Sequence, residues 1–368
     1  MFRTIFMAIW AVFHIYVFWR IATLPAARRV IPWYVVTVVA VVLWSTFLAP
    51  RFLRDSMSRS LASKIEIIGD QWLGVVFLLF CSLLVADIVT GFGFLIRQHA
   101  PLIRTLGLTV GITLSVIAFV QGMRAPVVNY YEATVENLPS EAEGLTIAAL
   151  SDLHIGATLG KDWLESRIAQ VNSMQPDAIV ILGDIIEGYS AVEGAPSMES
   201  AFAKLRAPLG VWAVLGNHDH HSGPNSTAAL LKDAGIRVLR NEWTEMRSDL
   251  LIAGVDDRRR PGSGGQEDRI RQALADRPPG IATVFLSHRP EAIDQVADLG
   301  VELMLSGHTH GGQIWPFTYI VKTLNSLMDG RHIHDGLTII VSRGTGTWGP
   351  RMRLWKPGEV MLITLQRP

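Results

Sequence analysis

The sequence has little cysteine and no excess of charge of either sign. Cys81 is the only cysteine among 368 residues, so an intramolecular disulfide and a zinc site of several thiolates are both excluded. It lies in an apolar run, which is typical of a buried small hydrophobic residue. Lysine and arginine total 33, equal to aspartate plus glutamate. A neutral chain gives a nucleic-acid partner no electrostatic support, and we expect none.

Hydrophobic residues make up 49% of the chain, and their excess is concentrated in the first third. A helix needs roughly 20 apolar residues to cross a bilayer. The candidate spans are Phe2–Trp19, Ile31–Ala49, Gln71–Ile96 and Thr105–Val120. We therefore expect residues 1–124 to form a transmembrane region of about four helices.

The basic residues that flank these spans do not decide the orientation. An even number of spans places the N-terminus and the C-terminal domain on one side. The basic residues near that side are Arg3, Arg51, Arg54, Arg59, Lys64 and Arg124. Those near the other side are Arg20, Arg28, Arg29, Arg97 and Arg104. We favour a cytoplasmic C-terminal domain.

Asp87 and His14 are ionisable residues at membrane depth. Such groups often mark a functional pathway, because an unpaired charge in a bilayer costs much free energy. The alternative is that Asp87 lies near the end of a span or forms a contact between helices. We favour this second interpretation.

From about Leu145 the chain changes to short apolar runs that alternate with helix-like stretches. The apolar runs are 147–150, 178–182, 211–215, 250–253, 282–286, 302–305 and 337–341. This alternation favours a mostly parallel or mixed sheet covered by helices, in an α/β domain at 145–368. The intervening segment 125–144 is largely polar and contains two prolines, so we expect it to be a linker.

Five motifs rich in histidine and aspartate follow the apolar runs. They are Asp152-Leu153-His154, Gly183-Asp184, Gly216-Asn217-His218-Asp219, His288 and Gly307-His308-Thr309-His310. Ligands of open α/β sheets bind beyond the carboxyl ends of the strands, where these motifs lie. The motifs therefore predict one shared site.

The donor atoms of these motifs suit metal ions. The candidate ligands are Asp152, His154, Asp184, Asn217, His288, His308 and His310. Carboxylate, imidazole and amide donors suit Mn, Fe, Zn, Co or Ni, and we favour Mn. Asp184 has two carboxylate oxygens and can bridge two ions about 3.5–4 Å apart. Two divalent metal ions at that spacing are suited to cleaving phosphate esters.

Together the motifs resemble the calcineurin-like metallophosphoesterase superfamily, whose pattern is D-x-H, G-D, G-N-H-[DE], H and G-H-x-H. The resemblance covers roughly Gly144–Leu365. The phrases Ser151–His154 and Gly307–Gln313, with Arg343-Gly344, look most like its membrane-associated bacterial branch. The resemblance implies a four-layer α/β/β/α sandwich with metals between the sheet ends. It also implies a multi-pass protein of the bacterial inner membrane.

The resemblance assigns a role to each motif residue. The first metal would take Asp152, His154, Asp184 and His310, and the second Asp184, Asn217, His288 and His308. His218 would face the scissile phosphate and donate a proton to the leaving oxygen, with Asp219 holding its imidazole. Glu187 stands where many relatives have aspartate.

We therefore expect a membrane-anchored dimetal phosphoesterase. It would hydrolyse a phosphodiester or pyrophosphate bond, of a lipid-linked substrate, by attack of a metal-bridging hydroxide. One alternative is a phosphoprotein phosphatase, which would act on phosphopeptides and not on diesters. Another is a membrane sensor or transporter whose metal-binding domain has no turnover.

Several residues outside the motifs have open interpretations. Trp315 and Trp348 lie beside glycine-rich segments and could meet an acyl chain or the bilayer surface, or pack against the sheet. Asp256 and Asp257 could support a ligand histidine or form a turn. We expect three further groups to lie in solvated loops: His220 with His221, His332 with His334, and Arg258 to Arg260.

Overall fold

The computed structural model describes residues 2–53, 56–187, 195–257 and 265–368. The chain divides into two compact units. The first, which we call the helical unit, comprises Met1–Arg124 and Gly349–Trp355. The second, the sandwich unit, comprises Ala125–Trp348 and Lys356–Pro368.

The helical unit contains long, apolar helices and one short helix. The long helices are α1 (Phe2–Thr23), α3 (Trp33–Phe52), α4 (Arg59–Val89) and α5 (Ala100–Met123), and the short helix is α2 (Pro25–Val30). Among the described residues, 4 stretches are long and apolar enough to span a membrane: Thr4–Thr23, Trp33–Pro50, Ser60–Val89 and Ala100–Met123. The four-span prediction is confirmed.

The third span ends earlier than the sequence suggested. The expected stretch continued to Ile96, but α4 ends at Val89 and a short 3₁₀ turn follows at Gly91–Gly93. Gly91 and Gly93 both adopt positive φ, which a side chain disfavours. Two glycines so close together end the helix although the surrounding residues stay apolar.

Asp87 connects three helices by ion pairs. Its Oδ2 lies 2.6 Å from Nε of Arg20 on α1, and its Oδ1 lies 2.7 Å from Nε of Arg104 on α5. The Tyr16 hydroxyl also donates a hydrogen bond to this carboxylate. Asp87 is buried and lies in the last turn of α4. The preferred interpretation, a contact between helices near a span end, therefore agrees with the structure.

His14 is also held by neighbouring helices. Its Nε2 lies 3.0 Å from the carbonyl oxygen of Ala40, and Nε1 of Trp72 donates to its Nδ1 at 3.2 Å. Both imidazole nitrogens therefore have partners on other helices, as a buried polar group requires.

The segment Gly349–Trp355 packs within the helical unit near the end of α5. The backbone N–H of Arg353 donates to the carbonyl oxygen of Ala118 at 2.9 Å. The N–H of Trp355 donates to Oε1 of Gln121 at 2.9 Å. A late segment of the sequence therefore returns to the final turns of the last span.

Across its described residues, the sandwich unit contains two six-stranded sheets. The strands are β1 (Val127–Thr134), β2 (Thr146–Leu150), β3 (Ala178–Leu182), β4 (Val211–Val214), β5 (Arg237–Val238), β6 (Glu242–Arg247), β7 (Leu250–Val255), β8 (Ala282–Ser287), β9 (Leu303–Ser306), β10 (Gly330–His334), β11 (Leu337–Val341) and β12 (Glu359–Gln366). Their orders are β1-β12-β2-β3-β4-β5 and β10-β11-β9-β8-β7-β6.

Helices cover the outer face of each sheet. Those that pack on the sheets are α6 (Lys161–Ser173), α7 (Ala195–Phe202), α9 (Pro224–Asp233), α10 (Gln266–Ala273) and α11 (Ile293–Asp298). Two short helices follow motif loops, α8 (Asn217–Ser222) and α12 (Phe317–Leu324). Leu164 of α6 and Leu231 of α9 pack on the first sheet, and Ile270 of α10 and Val296 of α11 pack on the second. These layers form the expected α/β/β/α sandwich.

Alternation of side chains along the strands produces the layers. In β2, Ile147 and Ala149 belong to the core between the sheets, whereas Ala148 and Leu150 face the outer helices. Successive side chains of a strand point to opposite faces, so a strand buried on both faces is apolar throughout. Each fully buried Leu or Ile stabilises the fold by about 1.5–3 kcal/mol.

The segment expected to be a linker, 125–144, instead belongs to the sandwich unit. It contains β1, which pairs in parallel with β12 from Val127↔Glu359 to Thr134↔Gln366. The strand lies at the edge of the sheet and remains partly exposed, so its sequence is more polar than that of the inner strands. Only residues 124–126 separate α5 from β1.

Candidate metal centre

The motif residues directly follow strands that run in parallel. Asp152 and Asp184 follow β2 and β3, and the Asn217 motif follows β4 in the same sheet. His288 and His308 follow β8 and β9 of the other sheet. Parallel strands end at the same edge, so each sheet delivers its motif residues to one place.

Five of the expected ligands have a backbone in the left-handed region. The φ angles are 52° for Asp152, 45° for His154, 50° for Asp184, 73° for His308 and 50° for His310. Such conformations cost on the order of 1–3 kcal/mol each in non-glycine residues and cluster at functional sites. The surrounding loops hold them: the N–H of Asp152 donates to the Gly183 carbonyl at 3.0 Å, and that of His154 to the Asp184 carbonyl at 2.9 Å.

Two motif glycines are required because the loops approach one another closely. A Cβ on Gly307 would lie 1.8 Å from Oγ of Ser151 and 2.6 Å from Oδ2 of Asp152. A Cβ on Gly216 would lie 2.2 Å from Oδ1 of Asp184. Each glycine therefore makes room for an expected carboxylate ligand contributed by another motif.

One group of donor atoms comes from Asp152, His154 and His310, which lie within 4.8 Å of one another. Nε2 of His154 is 3.1 Å from Nε2 of His310, which is 3.4 Å from Oδ1 of Asp152. All three residues are buried. The carboxylate of Asp152 is oriented by Oγ of Ser151, which donates to Oδ2 at 2.5 Å.

A second group comes from Asp184, His288 and His308, again within 4.8 Å of one another. Nε2 of His288 lies 3.1 Å from Oδ2 of Asp184. The same oxygen lies 3.9 Å from Nε2 of His154, which belongs to the first group. Asp184 therefore lies between the two groups, where its carboxylate can serve both.

The electrostatics of the site favour a cation. Burial would lower the pKa of the His288 imidazole, but the charge of Asp184 outweighs it and raises that pKa to about 10. Burial likewise opposes ionisation of Asp184, but His288 and His218 hold the pKa of this carboxyl well below its usual range. Positive charge is thus stabilised where His288 and Asp184 face each other, and the donor set fits divalent metals.

His308 differs from His288 in charge. Burial, together with the positive charges of His288 and Arg289, lowers the pKa of the His308 imidazole to about 2. His308 is therefore neutral at physiological pH, the form in which an imidazole binds a metal ion. Nδ1 of His288 lies 2.7 Å from the Leu182 carbonyl oxygen, the kind of contact that orients a ligand histidine.

Asn217 has a partner that the sequence did not reveal. Nη2 of Arg289 donates to Oδ1 of Asn217 at 3.1 Å, and the same guanidinium forms an ion pair with Asp257. Arg289 directly follows His288, which is the only sequence signal that could have pointed to it. The structure therefore gives Asp257 a supporting role through Arg289, while Asp256 pairs with Arg240 at 2.8 Å.

His218 is half-buried beside the first donor group. Its ring centroid is 4.9 Å from that of His154, and its backbone N–H donates to Oδ1 of Asp184 at 2.8 Å. Burial would lower the pKa of its imidazole, but the charges of Asp184 and Glu187 outweigh burial and raise it to about 9.

The carboxylate beside the His218 imidazole is that of Glu187. Oε1 of Glu187 lies 3.4 Å from Nδ1 of His218, and Oε2 lies 3.0 Å from Nδ1 of His154. Asp219, which we expected to hold the His218 ring, instead accepts hydrogen bonds from the backbone N–H groups of Ile185, Ile186 and Gly216. Asp219 is buried and holds the backbone of these loops. Its predicted role of holding the His218 ring therefore differs from what the structure shows.

Trp348 also contacts His218. Their ring centroids lie 5.9 Å apart in an edge-to-face arrangement. Gln313 fixes the backbone of Trp348: Nε2 of Gln313 donates to the Trp348 carbonyl at 3.1 Å, and Oε1 accepts from its N–H at 2.9 Å. Trp348 and Trp315 are 36% and 38% exposed, so neither is enclosed by the sheet.

The remaining histidine pairs lie outside these groups. His220 and His221 are in α8, and the ring of His221 lies 6.2 Å from that of His218. His332 and His334 lie on β10 rather than in a loop, and Nε2 of His334 pairs with Asp294 at 2.6 Å. The basic run Arg258 to Arg260 falls outside the described residues.

Comparison with known proteins places this site in a family. Residues 145–312, which include all seven expected ligands, match the family model for calcineurin-like phosphoesterases. A metallophosphoesterase of Aquifex aeolicus (strain VF5) is 35% identical over 243 residues, which cover 65% of this chain and 91% of that protein.

Two animal relatives have names that include both a metallophosphoesterase domain and a transmembrane protein. Proteins from Danio rerio and Bos taurus, each named a transmembrane protein with metallophosphoesterase domain, are 30% and 31% identical, over 71% of this chain. The matches span 62% of each relative, less than two thirds of its length. With the matched motifs and the sandwich fold, these comparisons show that the chain belongs to the calcineurin-like phosphoesterase family.

Proposed function

We propose that this protein is a membrane-anchored two-metal hydrolase of a phosphodiester or pyrophosphate bond in a lipid-linked substrate. We place it in the bacterial inner membrane with its catalytic site on the cytoplasmic side. The observation that carries the proposal is the position of Asp184, which lies between two groups of side chains that could bind metal. A shared carboxylate between two such groups is the arrangement of two-metal hydrolases.

Seven side chains would hold the metals. Asp152, His154, Asp184 and His310 would bind one ion, and Asp184, Asn217, His288 and His308 the other. Two divalent cations, of which we favour Mn²⁺, would make water a stronger nucleophile and offset the negative charge that develops on the phosphoryl oxygens.

His218 would act on the leaving group. Because Glu187 lies beside Nδ1, it favours a proton there and orients the ring. Nε2 is then the nitrogen that can pass a proton to the departing oxygen. Trp348 limits the freedom of the ring from another direction. These contacts allow the imidazole to present one nitrogen in a fixed direction.

The membrane helices support the choice of substrate. Four stretches of the helical unit are apolar enough to span a bilayer, and they are joined to the sandwich unit through residues 124–126. A phosphoester carried by a lipid is confined to the same surface as the enzyme. Such confinement raises the effective concentration of the substrate at the site.

The first test is hydrolysis of bis-p-nitrophenyl phosphate by the purified full chain with Mn²⁺. We expect activity that a chelator abolishes and that His218→Ala reduces by at least about 100-fold, the usual contribution of a positioned acid or base. His221→Ala is the matched control, because this neighbouring histidine lies in the same helix but is exposed. An activity that neither the chelator nor His218→Ala reduces would contradict the proposal.

The second test identifies the substrate class. Lipid extracts of cells carrying the wild type or Asp184→Asn are compared for one accumulating phosphorylated species. Accumulation of a phosphorylated lipid supports the proposal. Activity on phosphopeptides with none on diesters would identify a phosphoprotein phosphatase instead.

A further inference from the structure

Helix α12 exposes an apolar surface although it belongs to a folded domain. Phe317 is 38% exposed, Tyr319 63%, Ile320 49% and Leu324 76%, and none of the eight residues of the helix is buried. Phe317, Ile320 and Leu324 are spaced at i, i+3 and i+7 and therefore share one face. A soluble domain rarely exposes a contiguous apolar face of this kind.

The composition of this helix fits a membrane interface. Trp315 immediately precedes it and is 38% exposed. Aromatic rings favour the headgroup region, and Lys322 has a long stem whose charged end can reach water or lipid phosphates. An amphipathic helix with aromatic and aliphatic residues on one face and lysine beside it binds the surface of a bilayer.

The helix is fixed to a loop of the metal centre. Gly312 lies two residues after His310, and a Cβ on Gly312 would lie 2.3 Å from Cα of Thr318 in the first turn of α12. The N–H of Phe317 donates to the carbonyl oxygen of Ile314 at 2.8 Å. The first turn of α12 therefore packs directly against the His310 loop.

The sandwich unit is connected in sequence to the helical unit directly after Trp348. Trp348, which contacts His218, is followed directly by Gly349–Trp355, a segment of the helical unit. Gln313, three residues before Pro316, holds the backbone of Trp348. The exposed face of α12 therefore belongs to a segment tethered to a membrane anchor at both 124–126 and 348–349.

We propose that Trp315 and the exposed face of α12 insert into the headgroup region of the same bilayer that holds the helical unit. The inserted helix would place the His310 loop at the lipid surface, where a phosphoester on a lipid headgroup can enter the site. The substrate class, a phosphoester at the membrane surface, rests on the proposed function. The insertion itself does not.

The insertion is measured without reference to activity. Leu324→Cys in a Cys81→Ser background is labelled with the fluorophore NBD, and the full chain is reconstituted in vesicles of phosphatidylcholine and phosphatidylglycerol. We expect a blue-shifted emission that lipids with a doxyl group near the headgroup quench. The control is Ser166→Cys, because Ser166 is exposed on α6, and its label should remain in water.

The outcomes separate the inference from its rivals. Equal, water-like emission at both positions would overturn it. A blue shift at position 324 without quenching by doxyl lipids would also overturn it and would indicate contact with protein, such as a second copy of the chain. Quenching at 324 in a protein with no phosphoesterase activity would leave the insertion standing and refute the proposed function.

A second experiment tests whether insertion of α12 gives a lipid substrate access to the site. The double variant Ile320→Glu/Leu324→Glu should lose at least about tenfold in kcat/KM on a phosphodiester lipid in vesicles, because apolar area no longer enters the bilayer. Its hydrolysis of soluble bis-p-nitrophenyl phosphate should be unchanged. Ser166→Glu is the control for added charge. An equal loss on both substrates would refute a role in access.

Discussion

The carboxylate of Glu187 lies 3.4 Å from Nδ1 of His218 and, through its other oxygen, 3.0 Å from Nδ1 of His154. One side chain thus contacts both an expected metal ligand and the proposed acid. Its two oxygens give each imidazole a separate partner. A hydrogen-bonded partner orients a ring and fixes its tautomer, so Glu187 should position both histidines.

Glu187→Gln should therefore lower kcat with little change in KM. We expect a loss of about 10- to 100-fold, the usual effect of removing a carboxylate that supports a ligand histidine. Glu187→Asp should recover part of the activity because it keeps the charge. Steady-state kinetics and metal content are measured together, which separates a mispositioned His218 from a lost ion.

Glu165→Gln is the control for this variant, because Glu165 is an acidic residue of α6 that pairs with Lys204. Full activity in Glu187→Gln would show that neither histidine depends on this carboxylate.

A second prediction concerns Gly307, where an added Cβ would collide with Ser151 and Asp152. Gly307→Ala should destabilise the fold by about 1–3 kcal/mol, the usual cost of an overpacked site. It should also lower the metal content, because the added methyl group displaces the Asp152 carboxylate. Thermal unfolding and elemental analysis of the purified chain measure the two effects.

Gly160→Ala is the matched control for Gly307→Ala. Nothing lies within 4 Å of a Cβ at Gly160, and its φ of −93° suits alanine. Equal behaviour of the two variants would mean that the close approach at Gly307 is unimportant.

The sequence predicted the inner strands well because their signals are local. Ala178–Leu182 and Leu337–Val341 are short apolar runs, and the structure places β3 and β11 at the same residues. A strand buried on both faces has to be apolar throughout, so its limits are visible in the sequence. The motif residues also have local signals, because their chemical types and strand-end positions predict metal ligands.

Contacts that depend on distant parts of the chain could not be predicted in this way. Strand β1 is partly exposed and pairs with β12 near the other end of the sequence, so its polar pattern resembled a linker. Glu187, and not Asp219, lies beside the His218 imidazole, whereas Asp219 accepts hydrogen bonds from the backbone. This arrangement depends on how the loops after β3 and β4 pack against each other. Neither relationship has a local signature, because each is set by tertiary packing.

Removal of the metals should destabilise the sandwich unit. Asp152 and Asp184 are buried, and burial raises the pKa of the Asp152 carboxyl. A bound cation offsets the cost of these charges, and binding stabilises by about 2.7 kcal/mol when the free ion is at 100 times its dissociation constant. A chelator should therefore lower the temperature of thermal unfolding. Added Mn²⁺ should restore the original unfolding temperature.

Asp184→Asn is the informative variant in this experiment. The carboxylate that can serve both groups is removed, so its unfolding temperature should respond less to Mn²⁺ than that of the wild type. A response of unchanged size would show that Asp184 does not bind metal.

The ion pairs of Asp87 should contribute strongly to the stability of the helical unit. Its carboxylate pairs with Arg20 and Arg104, and Arg20 is only 5% exposed. Asp87→Ala would leave a buried guanidinium without its partner, which typically costs about 3–5 kcal/mol. Thermal unfolding of the full chain in detergent micelles should show a marked loss of stability. Arg97→Ala removes an exposed charge after α4 and should have little effect. Equal stability of both variants would indicate that Asp87 serves another purpose in the membrane.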